Sequence, residues 1–320
     1  MTGAREAGWN RLGVRSTGLN ATQAFQQLGQ FDTELVPMTA MFGGQVSDQG
    51  YRMIMRHPNP QSNVAVPFGV VGPGYDLVTP YDLVTTLDFA LGEREVSVIG
   101  APDGGKMFYV GYDMPEGKVQ GEDIRNTLLV SSPNDGKGAL RMTVFALCLI
   151  CTNGLTAQVA TESYTLRHGM NVVKTLATWV EGLWPRSIKR SEELQAAFEV
   201  MTQRRVDARK FQRMITTLLP IPNMPAKTPD ATTDSQRLKD WEYRAQRVEK
   251  DRQGIARLFA GEGLGMDSPA AAGTAWGFYN AVAEYYDHGR DVRNRDRQVA
   301  EAMFGEFADL KAAAYELALK

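Results

Sequence analysis

The residues from Phe278 to Arg297, FYNAVAEYYDHGRDVRNRDR, combine several side-chain types that can do chemistry. Glu284 and His288 are four residues apart, so on a helix they share a face, as two metal ligands do. Four arginines follow them: Arg290, Arg293, Arg295 and Arg297. Since arginine is a common partner of phosphate, this stretch allows three hypotheses: a metal site, a nucleic-acid contact and the polar end of a packed helix.

Other patterns give weak support for metal or thiol chemistry. The chain has three histidines, at His57, His168 and His288, and no HExxH, HxH or DxD pattern. Cys148 and Cys151 form a CxxC pair inside the apolar run FALCLICTNGL, without a second ligand pair. A redox or zinc pair needs polar surroundings or more ligands, so we expect buried, reduced cysteines. We assign no metal site, no cofactor and no catalytic residue.

The glycines of GVVGPGY, Gly69 to Tyr75, follow a strand-like run as a phosphate-binding loop does. The segment lacks the Lys-Ser/Thr of a P-loop, and Pro73 removes one backbone donor. We therefore predict a tight turn. Ser/His/Asp catalysis stays open, because its members can lie far apart in sequence, but no G-x-S-x-G pattern occurs.

Composition indicates a globular protein with a mild division of charge. Of the 320 residues, 43% are hydrophobic and 22% charged, and the formal net charge is −2. Residues 1–160 carry 11 Lys/Arg and 15 Asp/Glu, whereas residues 161–320 carry 24 and 22. No signal-peptide-like segment begins the chain, and the longest apolar run is about half the length of a membrane span. We expect a cytoplasmic protein of a bacterial host cell.

Strand and turn signals dominate the first half of the chain. The runs SNVAVPFGVVG, REVSVIGAPDGGKMFYVGYDM and NTLLVSSPNDG are rich in β-formers, and the turns APDGGK and PNDGKG predict hairpins. PYDLVTTLDFAL predicts a helix with Leu83, Leu87 and Leu91 on one face and Pro80 in its first turn. We also predict a short helix capped by Asn20 and a buried helix over TVFALCLICTNGLTAQVA, ending near Asn153-Gly154.

The second half is predominantly helical from Val172 onward. Apolar residues recur at helical spacing, first in a stripe including Leu194, Phe198 and Phe211, then along Leu238 to Phe259. Prolines from Pro220 to Pro229 predict an extended linker. The fold class is therefore α+β, a curled antiparallel sheet with packed helices followed by a mainly helical C-terminal part. We place an α+β domain at 1–180 and a helical part at 181–320, with the linker at 220–230.

Basic residues interleaved with aromatic ones favour nucleic-acid binding, which needs cations for phosphates and aromatic faces for bases. RLKDWEYRAQRVEK and YYDHGRDVRNRDR are such segments, although acids alternate with the bases as on any solvated helix. The candidate nucleic-acid-binding residues are Arg125, Lys137, Arg141, Arg167, His168, Lys174, Arg204 and Arg205.

Several separated segments together resemble the DUF932 family of phage- and plasmid-encoded proteins. They are FGVVGPGYDLVTPYDLVTTLDFAL, SSPNDGKGALRMTVFALCLICTNGLTAQ, YTLRHGMNV and GTAWGFYNAVAEYYDH, spread over residues 60–310. Family members usually have an Arg-Val-Val-Cys-like run before the Cys-x-Asn element, whereas here that run is FALCLICTNG and Arg141 lies well upstream of Cys151–Asn153. The resemblance makes Asn153, Asn280, Glu284 and His288 look like a structural polar network.

The resemblance implies an origin in mobile genetic elements and supplies no catalytic residue. It favours a non-enzymatic protein that binds single-stranded DNA, including an annealing-type recombination protein. We expect single-stranded DNA as a partner, a homo-oligomer and no membrane association. Two alternatives remain open: a regulatory or anti-defence interaction protein exposing an apolar or acidic patch, and an enzyme built on His168 with a carboxylate such as Glu162.

Overall fold

The computed structural model describes residues 11–42, 45–58, 63–92, 94–148, 154–156, 165–169, 171–226, 231–290 and 294–320. They form antiparallel sheets that do not close, with helices that dominate the C-terminal part. This confirms the predicted α+β class. No helix in these ranges is both long and apolar enough to cross a membrane. The division into domains near residue 180 stays a prediction.

The large sheet has eight strands in the order β1-β5-β6-β8-β9-β10, with β11 also paired to β9 and β7 to β8. Its strands are β1 (Val14–Arg15), β5 (Val98–Gly100), β6 (Met107–Asp113), β7 (Gly117–Val119), β8 (Glu122–Pro133), β9 (Ala139–Cys148), β10 (Gly154–Thr156) and β11 (Thr165–Arg167). The long strands β8 and β9 form its centre. Both predicted hairpins are confirmed, since APDGGK joins β5 to β6 and PNDGKG joins β8 to β9.

A second sheet of three strands, in the order β2-β3-β4, packs beside the first. Its strands are β2 (Thr33–Phe42), β3 (Gln45–Arg56) and β4 (Val66–Val71). Ile54, Phe68, Val71 and Tyr75 form its small core. The end of the sheet that carries Met41 and Val46 is exposed, with Met41 at 77% and Val46 at 67% of full exposure.

Two N-terminal helices follow the sequence prediction closely. Helix α1 (Ala21–Gln27) begins with a capping box at Asn20, and α2 (Pro80–Leu91) has Pro80 in its first turn. Leu83, Leu87 and Leu91 are all buried. Apolar spacing and capping chemistry are local properties, so the sequence alone was sufficient here.

The predicted central helix over TVFALCLICTNGLTAQVA is wrong. Residues Ala139–Cys148 form strand β9 and Gly154–Thr156 form β10, which pair with each other. Leu140, Met142 and Val144 face the main core, while Phe145 packs on the opposite face. A strand buried on both faces reads as a continuous apolar run, and such a run has no period that distinguishes it from a helix. Cys151 and Asn153 lie outside the described residues.

The C-terminal part consists of seven helices within the described ranges. They are α3 (Val172–Glu181), α4 (Leu183–Gln203), α5 (Ala208–Leu218), α6 (Ala231–Arg257), α7 (Ala275–Glu284), α8 (Arg295–Phe304) and α9 (Glu306–Ala318). Short π-helical turns follow α6 at Leu258–Glu262 and α7 at Tyr285–Gly289. All residues of α7 are buried, so this helix is the centre of the helical part.

The two faces of the large sheet are covered differently. One face belongs to the main core, which includes residues of α1 to α5, α7 and α9. The other face, called here the outer face, buries Val98, Tyr109, Leu129 and Phe145 against Val299 and Met303 of α8. Helix α8 therefore covers the apolar middle of the outer face.

The GVVGPGY segment ends β4 and forms a turn, as predicted. A Cβ atom added to Gly69 would overlap the carbonyl oxygen of Asp135 in the β8–β9 hairpin. A Cβ atom on Gly74 would meet no atom within 4 Å. Gly69 is therefore needed for close backbone packing between the two sheets.

We predict that Gly69→Ala lowers the free energy of unfolding by about 2–3 kcal/mol, because a methyl group there forces the two backbones apart. Gly74→Ala is the matched control and should change it by less than about 1 kcal/mol. Urea unfolding followed by circular dichroism measures both. Equal effects of the two substitutions would contradict the close packing at Gly69.

Candidate nucleic-acid interface

Strand register places three of the predicted basic residues on the outer face. In β9, Arg141 lies opposite Ser131 of β8 and Thr165 of β11, and Arg167 lies opposite Ala139. Opposed residues of antiparallel strands point to the same side, and alternate residues share a face. Arg125 is two residues before Thr127, which lies opposite Phe145, so Arg125 and Phe145 are on the same face of the sheet. Arg125, Arg141 and Arg167 therefore all project from the outer face, and each is exposed.

A groove of about 860 Å³ lies between this face, the β8–β9 hairpin and helix α8. Lys137 of the hairpin, Arg141 of the sheet and Arg297 of α8 line it. Within the described residues, none of these three cations forms an ion pair with a carboxylate. They are therefore available to a ligand that carries negative charge.

Each acid of the groove already has a partner, and two of these partners, Lys106 and Arg11, also line the groove. Asp103 pairs with Lys106 at 3.4 Å, and Asp296 pairs with Arg11 at 2.9 Å. Asp135 accepts the backbone N–H of Lys137, while Glu301 accepts that of Glu306 at the start of α9. A carboxylate that already accepts a hydrogen bond from a helix N-terminus opposes a bound anion less than a free one does. The groove therefore has a weak positive bias.

The remaining candidate cations lie elsewhere. Lys174 is exposed on α3, whose buried residues belong to the main core, on the other side of the sheet from the groove. The guanidinium of Arg204 donates to the carbonyl of Leu319, and that of Arg205 to the carbonyl of Ala272 at 3.2 Å. Arg204 and Arg205 thus make contacts within the helical part of the chain, and the structure does not bring them together with the arginines of the sheet.

His168 follows β11 and stacks on Tyr75, with ring centroids 5.0 Å apart and planes 14° apart. Burial lowers the pKa of His168, so the ring is neutral at pH 7 and adds no charge for phosphate. Glu162, the carboxylate considered with it, lies outside the described residues, so an enzyme based on this pair stays a prediction.

The polar residues of the opening stretch surround the end of α7. Asn280 and Glu284 are buried; Asn280 donates to the carbonyl of Trp276, and Glu284 accepts the backbone N–H of Leu264 at 3.0 Å. Nδ1 of His288 lies 3.1 Å from a guanidinium nitrogen of Arg295. Asn153, the fourth residue of the predicted network, lies outside the described residues.

In the described part of the chain, no cluster of His, Cys, Asp or Glu could hold a metal ion.

Sequence reasoning missed the ionic partners of this region. Asp251 of α6 pairs with Arg290 at 3.1 Å and accepts the hydroxyl of Tyr285 at 2.7 Å. Lys311 of α9, only 1% exposed, pairs with Asp287 at 2.8 Å. One signal was available, because Lys311 interrupts the apolar stripe of α9 and a lysine there needs a buried partner.

The four arginines after α7 therefore have different surroundings. Arg290 pairs with Asp251 and Arg295 contacts His288, whereas Arg297 lines the groove. Arg293 lies outside the described residues. The opening stretch, residues 278–297, therefore contains both packed polar residues and one exposed cation of the groove, Arg297.

Comparison with known proteins gives one match. A family model described as "Domain of unknown function (DUF932)" matches residues 67–303. No curated protein and no solved structure matches the chain. The matched range includes most of the large sheet and extends to α8, so it contains both walls of the groove.

We predict that Lys311→Met lowers the free energy of unfolding by about 3 kcal/mol, because it removes the buried Lys311 cation from the part-buried Asp287 carboxylate. The control is Lys118→Met, which breaks the exposed pair of Lys118 with Asp123 and should cost less than about 1 kcal/mol. Urea unfolding of both variants is the measurement. If Lys311→Met is as mild as the control, the pair does not hold this region together.

Proposed function

The chain belongs to the DUF932 family, and from that premise we propose that it is a non-enzymatic protein that binds single-stranded DNA. The family description assigns no activity, so the proposal rests on the groove. The observation that carries it is the set of three cations, Lys137, Arg141 and Arg297, that line one concave surface on the outer face and form no ion pair within the part of the chain that the structure describes. Binding of this kind needs phosphate contacts and base contacts but no catalytic centre.

The shape and lining of the groove favour a single strand. Phe304 lies half-buried in its wall, 5.8 Å from the ring of Tyr109, and offers an apolar surface to an unpaired base. A duplex presents its phosphates on a convex surface with its bases stacked inside, whereas a single strand can bend into a concave groove. An annealing-type recombination role would further require an oligomer, and both stay part of the proposal.

A protein-interaction role is the second candidate, and the three-stranded sheet favours it. Met41, Val46, Tyr51 and Val70 of that sheet are all more than half exposed. Exposed apolar side chains grouped on one sheet are typical of surfaces that contact another protein. A protein with this role alone would not bind DNA, so the experiment below also separates the two candidates.

We predict that the wild-type protein binds a fluorescent oligo(dT) of about 30 nucleotides at about 50 mM salt, and that binding weakens steeply toward about 200 mM. The double variant Lys137→Glu/Arg141→Glu should raise the dissociation constant at least about tenfold. It should also lower the slope of log K against log salt by about 1.4, or about 0.7 for each lost phosphate contact. Fluorescence anisotropy measures both quantities.

The matched control is Lys189→Glu/Arg213→Glu, two exposed positions of α4 and α5 outside the groove. It changes the net charge by the same amount, so it removes any effect of overall charge. Equal weakening by both variants would overturn the groove as the binding site. Failure of the wild-type protein to bind at low salt would overturn DNA binding itself.

A further inference from the structure

A second cleft, of about 850 Å³, lies on the other side of helix α8, between α8 and the long helix α6. Three residues, Asn294, Arg297 and Glu301, line both this cleft and the sheet groove. Asn294 caps α8 by accepting the backbone N–H of Arg297, which places Arg297 in the first turn. The two clefts therefore meet along α8, from its N-cap to Glu301.

Helix α6 supplies cations to the second cleft. Arg247 and Lys250 both line it, and Arg297 faces it from α8. The Arg290–Asp251 ion pair is internally neutral. Glu306 lies in the first turn of α9 and the carboxylate of Glu301, from α8, accepts its backbone N–H, so the dipole of α9 offsets both negative charges. The cleft thus continues the positive bias of the groove.

One aromatic side chain in the cleft is largely exposed. Tyr243 is 61% exposed, and the guanidinium of Arg247 lies 5.9 Å from its ring centre. The neighbouring aromatic residues are engaged in the fold, since Tyr285 donates to Asp251 and Trp241 donates to the carbonyl of Pro222. An exposed tyrosine beside an arginine is a common arrangement for stacking a base and contacting its phosphate.

Contacts with the proline-rich segment fix the position of α6 along one side of the second cleft. Besides the bond from Trp241 to Pro222, both Nε and Nη2 of Arg252 donate to the carbonyl of Leu219, at 2.9 and 2.6 Å. Between these anchors, the face of α6 that carries Tyr243 and Arg247 remains exposed. Leu219 and the described part of the predicted linker, residues 220–226, thus pack along α6 and anchor it.

We propose that a single strand bound in the sheet groove continues past Arg297 into this second cleft. There a base stacks on Tyr243 and the adjoining phosphates contact Arg247 and Lys250. This inference rests on the proposed function, and it adds a path and a minimum length for the strand. A short strand fills the groove alone, whereas a longer one occupies both clefts.

The test compares Tyr243→Ala/Arg247→Ala with Tyr81→Ala/Arg213→Ala, which removes another exposed tyrosine and an arginine outside both clefts. Oligo(dT) probes of about 6 and about 30 nucleotides are titrated by fluorescence anisotropy. The α6 variant should weaken binding of the long probe about tenfold or more, as expected for one stacked base and one phosphate contact. It should change binding of the short probe less than about twofold, and the control variant should change neither.

Each other result is decisive. If the α6 variant and the control bind the long probe equally, the second cleft is not part of the path, and the proposed function survives. If the α6 variant weakens both probes equally, the strand does not enter by the sheet groove and the path is wrong. If the wild-type protein binds neither probe at low salt, the inference and the proposed function both fail.

Discussion

The packing of helix α8 across the outer face of the large sheet is the contact on which the candidate site depends. Val299 and Met303 cover the apolar middle of that face, which includes Tyr109 and Phe145. Burial of these side chains fixes the helix by removing apolar surface from water. The cations at the end of the sheet stay uncovered and face the helix across the groove, so the groove exists because α8 covers only part of the face.

Buried polar contacts determine where α8 begins. Nε2 of Gln298 donates to the carbonyl of Tyr286 at 2.9 Å, and Arg295 contacts His288. The pair of Lys311 with Asp287 fastens the same turn to α9. Buried polar groups need specific partners and therefore permit few alternative packings. The polar end of α7 supports the groove wall through these contacts.

Local features of the sequence predicted much of the fold. Packing between elements that are distant in sequence could not be predicted from it. Helix α2 and its cap, and both hairpins, follow from short-range spacing and turn chemistry. The central helix was mispredicted because residues 142–146 of strand β9 are buried on both faces, so this part of the strand shows no apolar alternation. For the site, Lys137 and Arg141 were identified as basic residues, but their grouping with Arg297 depends on how α8 crosses the sheet, which no local pattern encodes.

In the proposed complex, a single strand lies along the outer face between the β8–β9 hairpin and α8. Hydrogen exchange followed by mass spectrometry, with and without a long oligo(dT), tests this placement most directly. We expect slower exchange in peptides covering residues 133–139 and 294–301, with the protection lost at high salt. Protection confined to the three-stranded sheet, or no protection in either segment while the oligonucleotide is bound, would contradict it.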